Sequence, residues 1–244
     1  MNNLTVLNMT RKRFKETEEI ILEARGLHKR FPHGGGLLHV IRGIDLSIPR
    51  GEIVAIVGRS GAGKTTLLHM LGGLRQPSEG TILFEGNDFY ALPESKRARL
   101  RNRKIGFVFQ FYHLLPELTA LENVMLPGMI RNEHPFATLK KEAEALLGEL
   151  GLWDRGDHHP NELSGGEQSR VAIARSLINQ PDIVFCDEPT GNLDSKTGEG
   201  ILRVIRLLNE TIKTTFLIVT HEEAVANMAS KIYGIQDGRL EEKE

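Results

Sequence analysis

A single cysteine, Cys186, stands in the 244 residues. An intramolecular disulfide is therefore ruled out, nothing calls for an oxidising compartment, and a cytoplasmic setting is expected. Long apolar runs are missing as well. The most apolar stretches, 52–57, 183–186 and 216–219, fall far short of the ~20 residues of a membrane span, and residues 1–15 lack the apolar region of a signal peptide. Nor is there an excess of charge of one sign. Lys+Arg 31 against Asp+Glu 32 leaves a formal net charge of −1, so no whole-chain basic field recruits nucleic acid or anionic lipid. A membrane role would have to come through a partner.

What is present is ordinary for a folded, water-soluble chain: 40% hydrophobic and 26% charged residues, a composition that excludes a disordered, collagen-like or disulfide-scaffold class. The length suits one large domain with an embedded subdomain. Residues 1–19, with Arg11, Lys12, Arg13, Lys15 and Glu16 and little apolar periodicity, read as an N-terminal extension without an assignable function. From Ile20 the texture is strand-like: IILEAR, then the alternating Ile44, Leu46 and Ile48, then IVAIV running into Gly58. Turns are marked by Gly34-Gly35-Gly36 and Pro49-Arg50-Gly51. Further on, Leu139, Ala143, Leu146, Leu147 and Leu150 share one helical face, as do Ile201, Ile205, Leu208 and Ile212. The fully apolar runs IVFCD (183–187) and TFLIVT (215–220) read as buried strands. Strands of that kind interleaved with helices predict an α/β core built on a parallel sheet.

Gly58-Arg59-Ser60-Gly61-Ala62-Gly63-Lys64-Thr65 fits G-x-x-x-x-G-K-[ST], and it lies between a strand and the helix-compatible TTLLHMLGGL. Glycines let the backbone wrap a phosphate, so that several N–H groups and the positive end of the following helix point at it. Lys64 adds a charge between the β- and γ-phosphates, and the Thr65 hydroxyl ligates Mg²⁺. The strand 183–187 ends in Asp187 and Glu188, which places Asp187 at the sheet's carboxyl edge as a Mg²⁺ carboxylate and makes Glu188 the natural general base for water attacking the γ-phosphate. Ser164 and Glu167 form an S-x-x-E capping box before VAIARSLI. Ser164-Gly165-Gly166 is therefore either a plain helix cap or a second anion site, open to another molecule's phosphate.

The set Gly58 to Thr65, Gln110 after IGFVF, LSGGEQ (163–168), IVFCDE (183–188), GNLD (191–194) and His221 in IVTHE resembles the nucleotide-binding subunit of ABC transporters over about residues 20–240. The resemblance implies an α/β, P-loop NTPase fold for 20–244, with a mainly parallel sheet, an N-terminal antiparallel β subdomain and an inserted helical subdomain at about 111–163. It implies an ATPase that uses ATP and Mg²⁺. It also implies a head-to-tail homodimer, in which each nucleotide lies between Gly58–Thr66 of one subunit and Ser164, Gly165, Gly166 and Glu167 of the other. Gln110 would contact Mg²⁺ and the attacking water, and His221 would sense the γ-phosphate and stabilise the transition state. Asn192 to Asp194 would couple the two sites, with Asp194 near nucleotide, and Phe31, an aromatic taken to lie in a loop, would stack on adenine.

Departures from the family pattern are Ala62 for a frequent serine, Thr65-Thr66 for the common Ser-Thr, and Ser169 for a frequent glutamine. Threonine keeps the ligating hydroxyl and residue 62 acts through its backbone; position 169 stays open. Cys186 reads as a small apolar strand residue. Within the family, the run from Leu100 to Pro127, with GGL at 72–74 and DEPTGNLDS at 187–195, resembles the lipoprotein-releasing branch, whose near relatives are the efflux-type and division-type ATPases. That implies a peripheral protein on the cytoplasmic face of the inner membrane. Its integral membrane partners would be met at about Phe111–Leu118, where Phe111, Tyr112, Leu114, Leu115 and Leu118 suit an interface or a subdomain core equally well. Soluble family members that act on DNA or ribosomes usually carry a coiled-coil insertion or two nucleotide domains, and neither is found here. A slow, nucleotide-gated dimerising module would use the same residues.

Overall fold

A computed structural model describes residues 19–243. Of the N-terminal extension, residues 1–18 lie outside the described residues. Glu19 is described: its carbonyl accepts a hydrogen bond from Arg50 N at 2.8 Å. The elements in chain order are β1 (Ile20–His33), β2 (Gly36–Pro49), β3 (Ile53–Val57), α1 (Lys64–Leu71), β4 (Glu79–Phe84) and β5 (Asn87–Asp88), then α2 (Glu94–Lys104), β6 (Ile105–Val108), α3 (Ala120–Arg131) and α4 (Phe136–Glu149). They continue with α5 (Gly165–Leu177), β7 (Ile183–Asp187), α6 (Ser195–Ile212), β8 (Thr215–Thr220), α7 (Glu223–Ala226), β9 (Lys231–Gln236) and β10 (Arg239–Lys243).

Among the described residues the strands form two sheets. The first, in the order β2-β1-β4-β5, is antiparallel. Its β1–β2 hairpin turns at Gly34 and Gly35, both at positive φ, a conformation that glycine adopts without a Cβ penalty. Leu22, Ala24 and Leu27 pair with Ile48, Leu46 and Ile44, and all six are buried.

The second sheet, in the order β10-β9-β3-β8-β7-β6, is parallel except for β10 at its edge. Its central strands are apolar throughout because both faces are covered. Ile53, Val184, Cys186, Phe216 and Ile218 join a core with residues of α3 to α6, while Val54, Ile56, Ile183, Phe185, Leu217 and Val219 join a core with α1 and the antiparallel sheet. Burial pushes the Cys186 thiol well above its ordinary range, which leaves it an inert, small strand residue. The predicted helical faces hold: Leu139, Ala143, Leu146 and Leu147 of α4 are buried, as are Ile201, Ile205 and Leu208 of α6.

Parallel pairing has one consequence for function. Registers such as Val57 with Thr220, Asp187 with Val219 and Val108 with Cys186 bring the carboxyl ends of β3, β8, β7 and β6 to one edge of the sheet. Gly58, His221, Glu188 and Gln110 therefore emerge side by side, where ligands bind in open parallel sheets.

Candidate functional site

The loop after β3 is shaped by two constraints. Gly61 and Gly63 take φ of +79° and +103°, and a Cβ on Gly58 would lie 2.5 Å from the Ile235 carbonyl oxygen. The loop thus packs its backbone directly on β9 and turns into α1 through left-handed residues, as glycine permits. Lys64, 6% exposed, donates to the carbonyls of Gly58 at 2.8 Å and Arg59 at 3.1 Å. Its ammonium also lies 3.4 Å from Glu188 Oε1. Thr65 Oγ1 donates to Asp187 Oδ1 at 3.2 Å.

Asp187 is buried. Burial pushes its carboxyl above the ordinary carboxylate range, against the pull of the Thr65 hydroxyl, His69 and Lys64. A buried carboxylate held by one hydroxyl is poorly compensated, and a divalent cation shared with Thr65 would compensate it. The donor set at Thr65 and Asp187, both hard oxygens, fits Mg²⁺.

Glu188 has φ +45°, a left-handed conformation that costs a residue with a Cβ roughly 1–2 kcal/mol. Its N–H donates to the Val219 carbonyl and its carbonyl accepts from Gly191 N, which fixes the turn. Glu188 Oε2 stands 2.8 Å from His221 Nδ1; with Nδ1 protonated, the ring donates to the carboxylate. Gln110 joins the same cluster. A Cβ on Gly191 would lie 3.2 Å from Glu188 Oε2 and 3.4 Å from Gln110 Nε2, so all three groups meet at that point. Asn192 Nδ2 donates to the Gln110 carbonyl at 2.7 Å, joining the 191–194 loop to Gln110.

Elsewhere the predicted capping box is complete. Ser164 N–H donates to Glu167 Oε2 at 2.8 Å, the Ser164 hydroxyl does so at 2.7 Å, and Glu167 N donates to Ser164 Oγ at 3.4 Å. Those bonds, with Arg155 Nε 2.9 Å from Glu167 Oε1, hold the Glu167 carboxyl at about 2. Gly165 abuts Leu193, and a Cβ on Gly166 would lie 2.5 Å from Thr197 Cγ2. Among the described residues, no hydrogen bond or ion pair joins Ser164, Gly165, Gly166 or Glu167 to Lys64, Asp187 or Glu188. Asp194 caps α6: Thr197 N and Oγ1 donate to its two carboxylate oxygens at 3.0 and 2.6 Å, which hold its carboxyl below the usual range. Ser169 is fully buried, and its hydroxyl has no hydrogen-bond partner among the described residues.

Phe31 lies in β1 paired with Leu38, not in a loop. The hairpin continues past it because Gly34 and Gly35 place the turn further on. Lys29 Nζ and the Arg75 guanidinium carbon lie 5.4 and 5.2 Å from its ring centroid, cation–π contacts. The 111–118 segment splits: Phe111 is 70% and Leu115 42% exposed, whereas Tyr112 is buried and Leu114 packs on the core.

Three side chains that organise these segments have no signature in the sequence reading. Asn123, fully buried, accepts from Leu115 N and donates to the carbonyls of Leu115, Leu118 and Thr119. Arg155 braces Glu167. Arg175, on α5, donates to the carbonyls of Tyr112 and His113. A T-x-x-E box at Thr119 and Glu122, which opens α3, was visible in the sequence and locates Asn123 on that helix.

Comparison with known proteins agrees with this geometry. Residues 41–191 match the family model described as ABC transporter. The lipoprotein-releasing system ATP-binding protein LolD of Pseudomonas syringae pv. tomato is 50% identical over 227 residues, covering 93% of this chain and 99% of that one. LolD of Acinetobacter baylyi is 48% identical over 220 residues, covering 90% and 96%. Among solved structures, the dimeric post-hydrolysis ATP-binding cassette MJ0796, bound to ADP and Pi, matches with a TM-score of 0.86 at 38% identity, covering 91% of this chain and 98% of that one. The structure of cbiO1 from Clostridium perfringens, part of the ABC transporter complex cbiONQ, matches with a TM-score of 0.80 at 29% identity, covering 92% and 88%.

Proposed function

Because the chain belongs to the ABC transporter family of ATP-binding subunits, we propose that it is the ATP-hydrolysing subunit of an inner-membrane complex that releases lipoproteins toward a periplasmic carrier. The observation that carries the ATPase reading is the placement of Glu188 between Lys64 of the phosphate loop and His221, at the carboxyl edge of a parallel sheet. Identity of about half over nearly the whole length with LolD proteins supports the lipoprotein substrate.

The backbone of Gly58, Arg59, Ser60, Gly61, Ala62, Gly63, Thr65 and Thr66 cradles the phosphates at the start of α1. Lys64, drawn onto the phosphates, leaves Glu188 Oε1 free to accept a proton from the attacking water. His221 holds Oε2, so the carboxylate stays aimed, and it presents its ring to the charge that develops on the γ-phosphoryl group. Gln110, beside Glu188, orients the water. Thr65, Asp187 and Gln110 would hold Mg²⁺, which when bound neutralises charge on the phosphate oxygens. Phe31 and its two cations offer the adenine face.

The helix start at Ser164, Gly165 and Gly166 is not tied to the phosphate loop of its own chain. A second copy, arranged head to tail, brings it to the nucleotide; that the MJ0796 cassette is dimeric supports this arrangement. Among the described residues no helix is long and apolar enough to cross a membrane. We assign the chain to the cytoplasmic face of the inner membrane as a peripheral subunit, with the outward-facing Phe111 and Leu115 of the 111–118 segment meeting the membrane subunits.

The test is to purify the tagged chain from gently solubilised membranes, identify what stays bound, and assay the assembly for ATP-dependent lipoprotein release. Release activity with two related four-span partners is expected. A single efflux-type or division-type partner without release activity would overturn the substrate assignment and leave the ATPase assignment standing.

A further inference from the structure

Two consecutive residues with side chains, Tyr112 and His113, take left-handed backbone conformations, with φ of +60° and +48°. They lie immediately beyond Gln110 and Phe111, so their conformation decides where the chain leaves Gln110. Such a pair is disfavoured for residues bearing a Cβ and persists only where its surroundings fix it.

The fixing group is Arg175. Its Nη1 donates to the His113 carbonyl at 2.6 Å and its Nη2 to the Tyr112 carbonyl, a planar fork across two successive peptide groups. Among the described residues no carboxylate lies within ion-pair reach of Arg175, although it is half-buried on α5. Its charge therefore acts on these two carbonyls alone, as charge-assisted hydrogen bonds. Local bonds complete the turn: Tyr112 N donates to the Phe109 carbonyl at 2.9 Å, and the His113 ring packs edge-on against Phe109 at 5.0 Å.

The same helix is touched a second time. The Tyr112 hydroxyl is buried without a hydrogen-bond partner among the described residues, and it lies 3.7 Å from where a Cβ on Gly165 would stand. Helix α5 thus lies beside the segment after Gln110 at its first residue and bonds it at Arg175. On the near side, the Gln110 carbonyl is held by Asn192.

We propose that Arg175 is a positioning residue for Gln110: it holds the left-handed turn at Tyr112 and His113 so that the Gln110 amide stands beside Glu188, and it makes that placement follow the position of α5. The inference rests on the role given to Gln110 above. Arg175 touches no reacting atom. Its loss acts on the hydrolytic step through misplacement of Gln110, a displacement of about 1 Å being enough for a large rate effect.

The test is steady-state ATPase kinetics and ATP binding on the full chain with Arg175→Ala, Gln110→Ala and the double variant, each checked by thermal melting. Arg175→Ala should lower kcat about tenfold or more while KM for ATP moves less than threefold. The double variant should be no slower than Gln110→Ala, because both changes remove one function. An unchanged kcat in Arg175→Ala beside a slow Gln110→Ala overturns the inference alone. Losses that multiply in the double variant, or a KM that rises as far as kcat falls, also overturn it. Normal rates in both single variants overturn the role of Gln110 and the inference with it. Should Arg175→Ala fail to fold, Arg175→Lys carries the test: the shorter ammonium lacks the rigid planar fork whose two nitrogens reach the Tyr112 and His113 carbonyls, so kcat should fall at least threefold in a folded protein, and an unchanged kcat overturns the inference.

Discussion

Lys64 Nζ lies 3.4 Å from Glu188 Oε1, an ion pair between the buried lysine of the phosphate loop and the partly buried acid that follows β7. On the proposed mechanism this cation serves two anions in turn: the carboxylate in the protein alone and the phosphates when nucleotide binds. If the proposal holds, replacing Lys64 by Ala removes a charge that meets the phosphates in the ground state. ATP affinity should fall roughly 10- to 100-fold, as expected for lost charge-assisted bonds; calorimetric titration with a non-hydrolysable ATP analogue checks it. Unchanged affinity would remove Lys64 from the binding site.

On the proposed mechanism His221 acts later in the cycle. We propose that its contact with Glu188 Oε2 at 2.8 Å serves to aim the carboxylate, not to hold nucleotide. His221→Ala should lower kcat roughly 10²- to 10³-fold, the usual scale for one transition-state donor, with ATP affinity changed less than threefold. Single-turnover kinetics beside equilibrium binding would separate the two; a parallel loss of affinity would make His221 a binding residue instead.

Gly58 tests the packing of the loop itself. An added Cβ would stand 2.5 Å from the Ile235 carbonyl oxygen, a backbone atom that cannot swing away. Gly58→Ala should destabilise the protein by about 1–3 kcal/mol, the range for overpacking, seen as a lowered denaturant midpoint. Wild-type stability would mean that β9 yields there.

The capping box predicts a pH dependence. Ser164 and Arg155 hold the Glu167 carboxyl at about 2 against an ordinary 4.5, so between these values the unfolded chain binds more protons than the folded one. The stabilisation is fully present above about pH 4.5 and is lost as pH falls toward 2. Glu167→Ala should therefore cost about 0.5–2 kcal/mol at pH 7, and the gap to wild type should narrow below pH 4.5. Melting curves across that range check it; a gap independent of pH would mean that the carboxylate charge contributes nothing.

Much of this was legible in the chain because local chemistry wrote it. The phosphate loop declares itself through Gly61, Gly63, Lys64 and Thr65 between an apolar strand and a helix, and the acidic end of β7 and the Ser164–Glu167 box are equally local. Apolar runs without alternation marked the parallel strands, since both faces of β7 and β8 are covered. Long-range relations were not legible. Arg175 reaches the carbonyls of Tyr112 and His113 across 63 and 62 positions, and neither its type nor its spacing announces it. The left-handed turns at Glu188, Tyr112 and His113 occur at residues whose identities do not ask for them. That Phe31 falls in β1 and not in a loop is not legible either, because the register of the β1–β2 hairpin, which carries several irregularities, cannot be counted from alternation alone.

The claim on which the rest depends is that Glu188 is the base for hydrolysis and that ATP joins two copies of the chain. Glu188→Gln tests both at once, by turnover and by size-exclusion chromatography with light scattering in the presence of ATP and Mg²⁺. A general base accounts for about 10²- to 10⁴-fold in rate. The variant should bind ATP as wild type does, lose turnover to that extent and accumulate as a nucleotide-held dimer. Hydrolysis at the wild-type rate, with no ATP-dependent dimer, would contradict the account.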